Sequence, residues 1–183
     1  MYNGKLYLNV HIQRKLDLDN AEDHEDGQET LLGSLLTINP DTGRVERQIQ
    51  YPMGAHVEPG FDDENGVIYQ VGDHSNLYAI SVQTGECTGV YYLGHKDGAI
   101  AVPAVYAVGY VILVENGQSR SKLHVLLRDD DGFSTGQATK NLASLVRMPP
   151  QVFGRRLLVS TELGQIYLYD VDPNLPNPIG PLA

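Results

Sequence analysis

The 183-residue chain has no tryptophan, one cysteine, few basic residues and no long hydrophobic run. Each shortage excludes something. A lone Cys87 forms neither an internal disulfide nor a thiolate metal cluster. Only 13 Lys plus Arg stand against 23 Asp plus Glu, a formal net charge of -10 at pH 7, which excludes a nucleic-acid binder that works through phosphate contacts. The longest apolar run, Tyr106 to Val114, is broken by Gly109 and falls far short of the roughly 20 residues of a membrane helix, so no membrane span is expected. What is present suffices for a packed core: 42% hydrophobic and 8% aromatic residues, in a length that suits one ordinary domain of about 100 to 200 residues.

The acidity is local. Seven acids (Asp17, Asp19, Glu22, Asp23, Glu25, Asp26, Glu29) fall in one short segment without a Lys or Arg, and the rest of the chain carries 16 acids against 13 bases. That distribution argues for one solvated acidic loop rather than a self-repelling surface.

Internal repeats decide the fold class. The clearest unit reads Asn65-Gly66-Val67-Ile68-Tyr69-Gln70-Val71, then Leu77-Tyr78-Ala79-Ile80, then the turn Gln83-Thr84-Gly85. Upstream, Asn3-Gly4-Lys5-Leu6-Tyr7-Leu8 precedes Leu35-Leu36-Thr37-Ile38 and Asp41-Thr42-Gly43. Downstream, Val108-Gly109-Tyr110-Val111-Ile112 precedes Leu123-His124-Val125-Leu126, and Phe153-Gly154-Arg155-Arg156-Leu157 precedes Ile166-Tyr167-Leu168-Tyr169. The second apolar strand starts at 35, 77, 123 and 166, at intervals of 42, 46 and 43 residues, the period of four-stranded propeller blades. Short runs of Val, Ile, Leu and Tyr bounded by Gly, Asp, Asn and Ser read as strands joined by tight turns. The best helical pattern, Ala138 to Met148, stops at Pro149-Pro150 and reads better as a strand and connector. The fold predicted is all-β, a β-propeller of four-stranded antiparallel blades with about four blades in the chain.

Prolines mark where blades open: Pro59, Pro103 and Pro150, a residue tolerated at the start of a strand because its missing N–H is not needed there. The blades then fall at about 1–51, 52–95, 96–143 and 144–173, with an acidic insertion at 17–30 and a Pro-rich tail at 174–183. On this reading blade one starts with its second strand and blade four ends after its third. Strand edges left open in this way invite pairing. The expectation is therefore either a fragment of a longer protein or two copies completing a ring around a twofold axis.

The segment Leu77-Tyr78-Ala79-Ile80-Ser81-Val82-Gln83-Thr84-Gly85-Glu86, with its proline-opened and glycine-led companions, resembles the repeat of pyrroloquinoline-quinone (PQQ)-type propellers. The resemblance runs from residue 3 to about 171. In that superfamily the repeat is shared by eight-bladed, calcium-dependent quinoprotein dehydrogenases and by non-enzymatic envelope scaffolds. Two departures from the pattern bear on function. Those propellers place Trp at the end of many fourth strands, and here Tyr51, Tyr91 and Tyr92 are expected to take such places. Quinoprotein alcohol dehydrogenases stack the quinone between a Trp and adjacent cysteines, and this chain supplies neither half.

Candidate sites follow from the blade assignment. In a propeller the first strand of each blade lines the axial channel, and the loops entering it form one face. The residues there are His56 and Glu58, Ala99 and Ala101, and Arg147 and Met148. His56, Glu58 and Arg147 are the candidates to converge on a small polar ligand, beside the plainer reading of channel-lining groups solvated by water. Asp17-Leu18-Asp19-Asn20-Ala21-Glu22 alternates oxygen ligands as calcium loops do, but lacks the glycine and distal Glu of an EF-hand, and a solvated loop explains it better. Asp129-Asp130-Asp131-Gly132 reads as a turn. The six histidines show no zinc spacing, and no Gly-x-Ser-x-Gly elbow is present. Nothing basic lies near Cys87 in sequence to activate it.

The function expected is a non-catalytic scaffold that binds a protein or peptide partner through its loop face and the acidic insertion, without a cofactor or catalytic residue. The alternative is a fragment of a quinoprotein-type dehydrogenase, with PQQ and calcium held largely outside these residues. The resemblance implies a periplasmic or cell-envelope location.

Overall fold

The structure, a computed structural model, describes residues 4–15, 29–51, 56–72, 75–94, 99–129, 132–133 and 138–182. These residues are strand and turn, without an α-helix, and the chain divides into two compact units, Met1–His56 and Val57–Ala183.

The first unit is a three-stranded antiparallel sheet of β1 (Leu6–Lys15), β2 (Glu29–Ile38) and β3 (Val45–Tyr51), in that order. β1 and β2 pair over ten residues, from Leu6↔Ile38 to Lys15↔Glu29, so Glu29 and Thr30 belong to the ladder rather than to an insertion ending at 30. The remaining acidic residues, including the calcium-loop pattern of Asp17 to Glu22, lie outside the described residues. The Asp-Thr-Gly turn forms as its chemistry requires. Asn39 Oδ1 accepts from the Asp41 and Thr42 N–H groups at 3.0 and 3.2 Å, and Gly43 takes φ 67°, which only a residue without Cβ adopts freely. Lys5 Nζ lies 2.7 Å from the Glu46 carboxylate, and its hydrogen bond holds that carboxyl below its usual value.

The second unit holds three sheets, each wound from an inner to an outer strand. The first is β4 (Gly60–Asp62), β5 (Val67–Val71), β6 (Asn76–Ser81) and β7 (Cys87–Tyr92). The second is β8 (Val105–Ala107), β9 (Tyr110–Asn116), β10 (Ser121–Asp129) and β12 (Ala138–Leu142), with a two-residue β11 (Gly132–Phe133) also paired to β10. The third is β13 (Gln151–Phe153), β14 (Arg156–Ser160), β15 (Ile166–Val171) and β16 (Ile179–Pro181). Pro59 and Pro150 immediately precede β4 and β13, and Pro103 comes two residues before β8. The segment Ala138 to Met148 is a strand followed by a connector.

Three features depart from the expected pattern. Blade four does not end after its third strand. Within the Pro-rich tail, Ile179–Pro181 pairs with β15 through Val171↔Ile179, and the buried Ile179 joins the core. A strand edge tolerates proline because its N–H faces away from the ladder, so a Pro-rich composition did not prevent pairing. Blade three carries the extra β11, whose Gly132 pairs with Asp129. The third departure is a register shift between glycine landmarks. Ala107↔Tyr110 and Phe153↔Arg156 both close two-residue hairpins, so Gly154 sits level with Val108 rather than with Gly109. A one-residue slip exchanges the faces of a strand, which makes Leu157 and Val159, not Arg156 and Leu158, the inward pair of β14.

Blade three shows why its strands read as continuous apolar runs. Tyr110, Ile112 and Val114 of β9, with Leu123 and Val125 of β10, pack on Leu157, Val159, Tyr169 and Val171 of blade four. The alternate residues Val111, Leu113 and Leu126 pack on Val67, Tyr69, Val71, Leu77 and Ala79 of blade two. Both faces are buried, so period-two alternation disappears. The inner strands β4, β8 and β13 lie side by side, the arrangement of blades around an axis. Where β4 meets the segment entering β8, a Cβ built on Gly60 falls 1.9 Å from the Ala104 carbonyl oxygen.

The turn Val108-Gly109 has φ of 48° and 86°, the all-positive pattern of a type I′ hairpin. Gly109 N–H donates to the Tyr106 hydroxyl at 3.0 Å. A β-branched residue at positive φ is strained. Val108→Asn is accordingly expected to raise the unfolding free energy by about 1 kcal/mol, read as a later urea midpoint at unchanged m-value.

Candidate functional site

The chain enters each inner strand through a connector, and two of these connectors are held by side-chain amides. Gln70, fully buried on β5, donates to the carbonyl of Val57 at 2.9 Å. Asn116, buried at the end of β9, donates to Val146 O at 2.9 Å and accepts from Val146 N–H at 3.1 Å. Ser121 Oγ also bonds to Asn116 Oδ1, at 2.5 Å, and accepts from Val146 N–H at 3.1 Å. A short strand leaves most of its backbone groups without ladder partners, so buried amides supply them.

This anchoring positions the sequence candidates of the second unit. Arg147 follows the clamped Val146 and is exposed; its guanidinium Nε lies 3.3 Å from Glu162 in the β14–β15 hairpin. The same hairpin is tied to the connector by Glu162 N–H to Leu145 O at 2.8 Å. Glu58 is exposed beside the clamped Val57. Among the described residues no ion pair joins Glu58 to Arg147. His56 is exposed at the end of the first unit. Ala99 is buried and its carbonyl accepts from Asn116 N–H at 2.6 Å, while Ala101 is exposed.

The structure adds Leu163 to Met148, which the connector pattern had already placed beside Arg147. Met148 and Leu163, each adjoining a member of the Arg147–Glu162 pair, are 64% and 74% exposed. Leu163 sits among the turn residues Thr161, Glu162 and Gly164, and an apolar side chain in a four-residue turn was the signal available. The arrangement is a pair of exposed apolar side chains around an ion pair, on backbone fixed from beneath. Chemically it suits contact with another surface, with apolar anchors next to a pair of charges.

The tyrosines expected to replace Trp divide. Tyr51 is buried, and its hydroxyl donates to Asn9 Oδ1 at 3.0 Å. Tyr91 packs with the core of blades two and three, and Tyr92 is half exposed. The aromatic bridge between those blades is Phe133 of β11, whose ring centroid lies 6.2 Å from Tyr91 and 5.9 Å from Tyr69. Tyr69 is fully buried, and its hydroxyl, near the Asp62 carboxylate, makes no hydrogen bond of good geometry. Burial is the main cause that pushes this phenol well above its usual value, with the Asp62 carboxylate adding to it. The stability tied to the neutral phenol is present below pH 10, the usual value, and is lost as pH rises beyond it toward the raised folded value. Tyr69→Phe removes an unsatisfied buried polar atom. It is expected to gain about 1 kcal/mol at neutral pH and to move the alkaline limb of a Tm-versus-pH curve upward.

Cys87 is exposed on β7, with Sγ 3.4 Å from Gly89 O. Among the described residues no three His, Cys, Asp or Glu side chains gather into a metal-binding group. With no tryptophan in the chain and one cysteine on an outer strand, the residues present do not fit the quinone stack of the dehydrogenases.

Four antiparallel sheets, three of them with neighbouring inner strands and both faces of the middle one buried, define a β-propeller repeat protein. No family model matches the chain and no curated protein matches it. Among solved structures it is similar to BamB from Moraxella catarrhalis, with a TM-score of 0.61 and 17% identity over 95% of this chain and 51% of that one. It is also similar to the WD40 domain of Toxoplasma gondii coronin, with a TM-score of 0.59 and 11% identity over 79% of this chain and 40% of that one. The chain thus spans about half the length of the BamB structure or less of these neighbours. Likeness at these identities establishes the fold alone. No helix among the described residues is long and apolar enough to cross a membrane.

Proposed function

We propose that the chain is a PQQ-like repeat propeller that acts as a non-catalytic scaffold in the cell envelope, binding a protein or peptide partner through the connector end of its second unit. The observation that carries this reading is the exposed pair Met148 and Leu163, held in place by the Arg147–Glu162 ion pair and the buried Asn116 clamp. Exposed large apolar side chains cost solubility unless something covers them. Rigid backbone beneath them lowers the entropy lost on docking. Arg147 and Glu58 then serve as polar groups that orient the partner. The envelope location rests on the repeat's resemblance alone.

The test is a random peptide phage library panned on the folded protein. Selected peptides are expected to lose at least about tenfold in affinity on a Met148→Glu/Leu163→Glu double variant. Peptides that bind wild type and double variant equally would remove the connector end from the reading. Calcium-dependent dye reduction by the protein reconstituted with PQQ would overturn the non-catalytic assignment.

A further inference from the structure

Within the second unit a blade has a forward face, which covers the next blade, and a backward face, which is covered by the one before. The two internal interfaces establish the rule. Forward positions Val67, Tyr69 and Val71 of blade two meet backward positions Val111 and Leu113 of blade three. Forward positions Tyr110, Ile112 and Val114 of blade three meet backward positions Leu157 and Val159 of blade four.

Carried one blade further, the register identifies the forward face of blade four. Arg156 stands level with Tyr110 and Leu158 with Ile112. Leu168 lies opposite Leu158, and Ile166 opposite Ser160. Phe153 lies opposite Arg156 on the same face. In blades two and three these positions are sealed in the core, whereas here Ile166 and Phe153 are 69% and 68% exposed. The charges at this face are internally balanced: Asp170 pairs with Arg155 at 2.6 Å and lies 3.7 Å from Arg156.

The first unit presents the opposite half of such an interface. Gly43 N–H bonds to Asn39 O as Gly85 N–H bonds to Ser81 O, which puts Ile38 level with Ile80 and Leu36 with Tyr78, on the backward side of the strand. Their cross-strand partners are Leu6 and Leu8, both exposed. One chain therefore carries an uncovered forward face at blade four and an uncovered backward face at blade one, the two halves of a contact that it already makes twice internally.

We infer that a second copy of this chain covers them, blade four of one copy docking head-to-tail on blade one of the other, with both such contacts closed around a twofold axis. The occupant follows from complementarity. The surface that fits a forward face is a backward face, and the chain itself supplies one. The inference concerns the sheet faces and stands apart from the connector end proposed for partner binding.

Light scattering behind a sizing column tests it on the whole chain. Wild type is expected at twice the 20.1 kDa chain mass. Ile166→Glu and Leu8→Glu, both at exposed positions, are each expected to run as folded monomers by circular dichroism, with a dissociation constant raised at least about 100-fold. Mixing the two variants is the decisive arm. In a head-to-tail dimer one contact of the mixed pair carries both changes and the other carries none, so a heterodimer reappears. A monomeric wild type would overturn the inference and assign these faces to further blades of a longer chain. Variants that stay dimeric, or a mixture that stays monomeric, would overturn it as well, the first by placing the contact elsewhere and the second by excluding the head-to-tail arrangement.

Discussion

Gly60→Ala is expected to cost about 3 kcal/mol or more of stability and to leave little folded protein at physiological temperature. At this position the inner strand of blade two abuts the backbone that leads into the inner strand of blade three. A Cβ there would lie 1.9 Å from the carbonyl oxygen of Ala104 and 2.9 Å from its carbon, contacts that neither backbone can relieve by a rotamer change. Relief requires β4 and β8 to separate, which opens the core containing Ala104, Val111 and Leu113. Gly180→Ala is the control. No heavy atom lies within 4 Å of its Cβ position, and the change should stay within about 0.5 kcal/mol. Urea unfolding followed by circular dichroism measures both, and equal midpoints for the two variants would sink the argument.

Asn116→Ala carries the next largest effect, a loss of about 3 kcal/mol. The side chain makes three hydrogen bonds, two to the backbone of Val146 and one to Ser121, and Val146 is fully buried. After truncation the carbonyl of the buried Val146 loses its amide donor, and a buried unpaired group costs about 1 to 3 kcal/mol. Asn116→Asp separates geometry from chemistry. It keeps the shape but puts a charge without a donor against the Val146 carbonyl, so it should be no better than alanine. The connector end would loosen as well: in both variants the exchange of the Leu145 to Met148 amides should quicken before global unfolding. Protection there equal to wild type would show that the clamp does not hold the site.

The blade pattern was legible because it is written in local chemistry. Asn65-Gly66 and Thr84-Gly85 turns, proline before β4 and β13, and β-branched runs between them are determined by backbone sterics within a few residues. Where local signals conflicted, tertiary pairing won. Gly154 looks like Gly109, but hairpin closure places it one residue earlier, and that slip reassigns which side of β14 is buried. The tail, with three prolines, looks like a terminator, yet Ile179 gains more from burial in the blade than the edge strand loses through Pro181. The partner of Arg147 was not readable either, because Glu162 reaches it from the next hairpin through the fold of the connector.

By itself the sequence determined the all-β class, the blade period and the turns, since each depends on conformational preferences that act within one hairpin. Only the tertiary structure decided which residues face the next blade, which polar groups clamp the connectors and which apolar side chains stay uncovered. Those properties depend on strand register and on neighbours some 40 residues away, where a single-residue shift in pairing turns a core position outward.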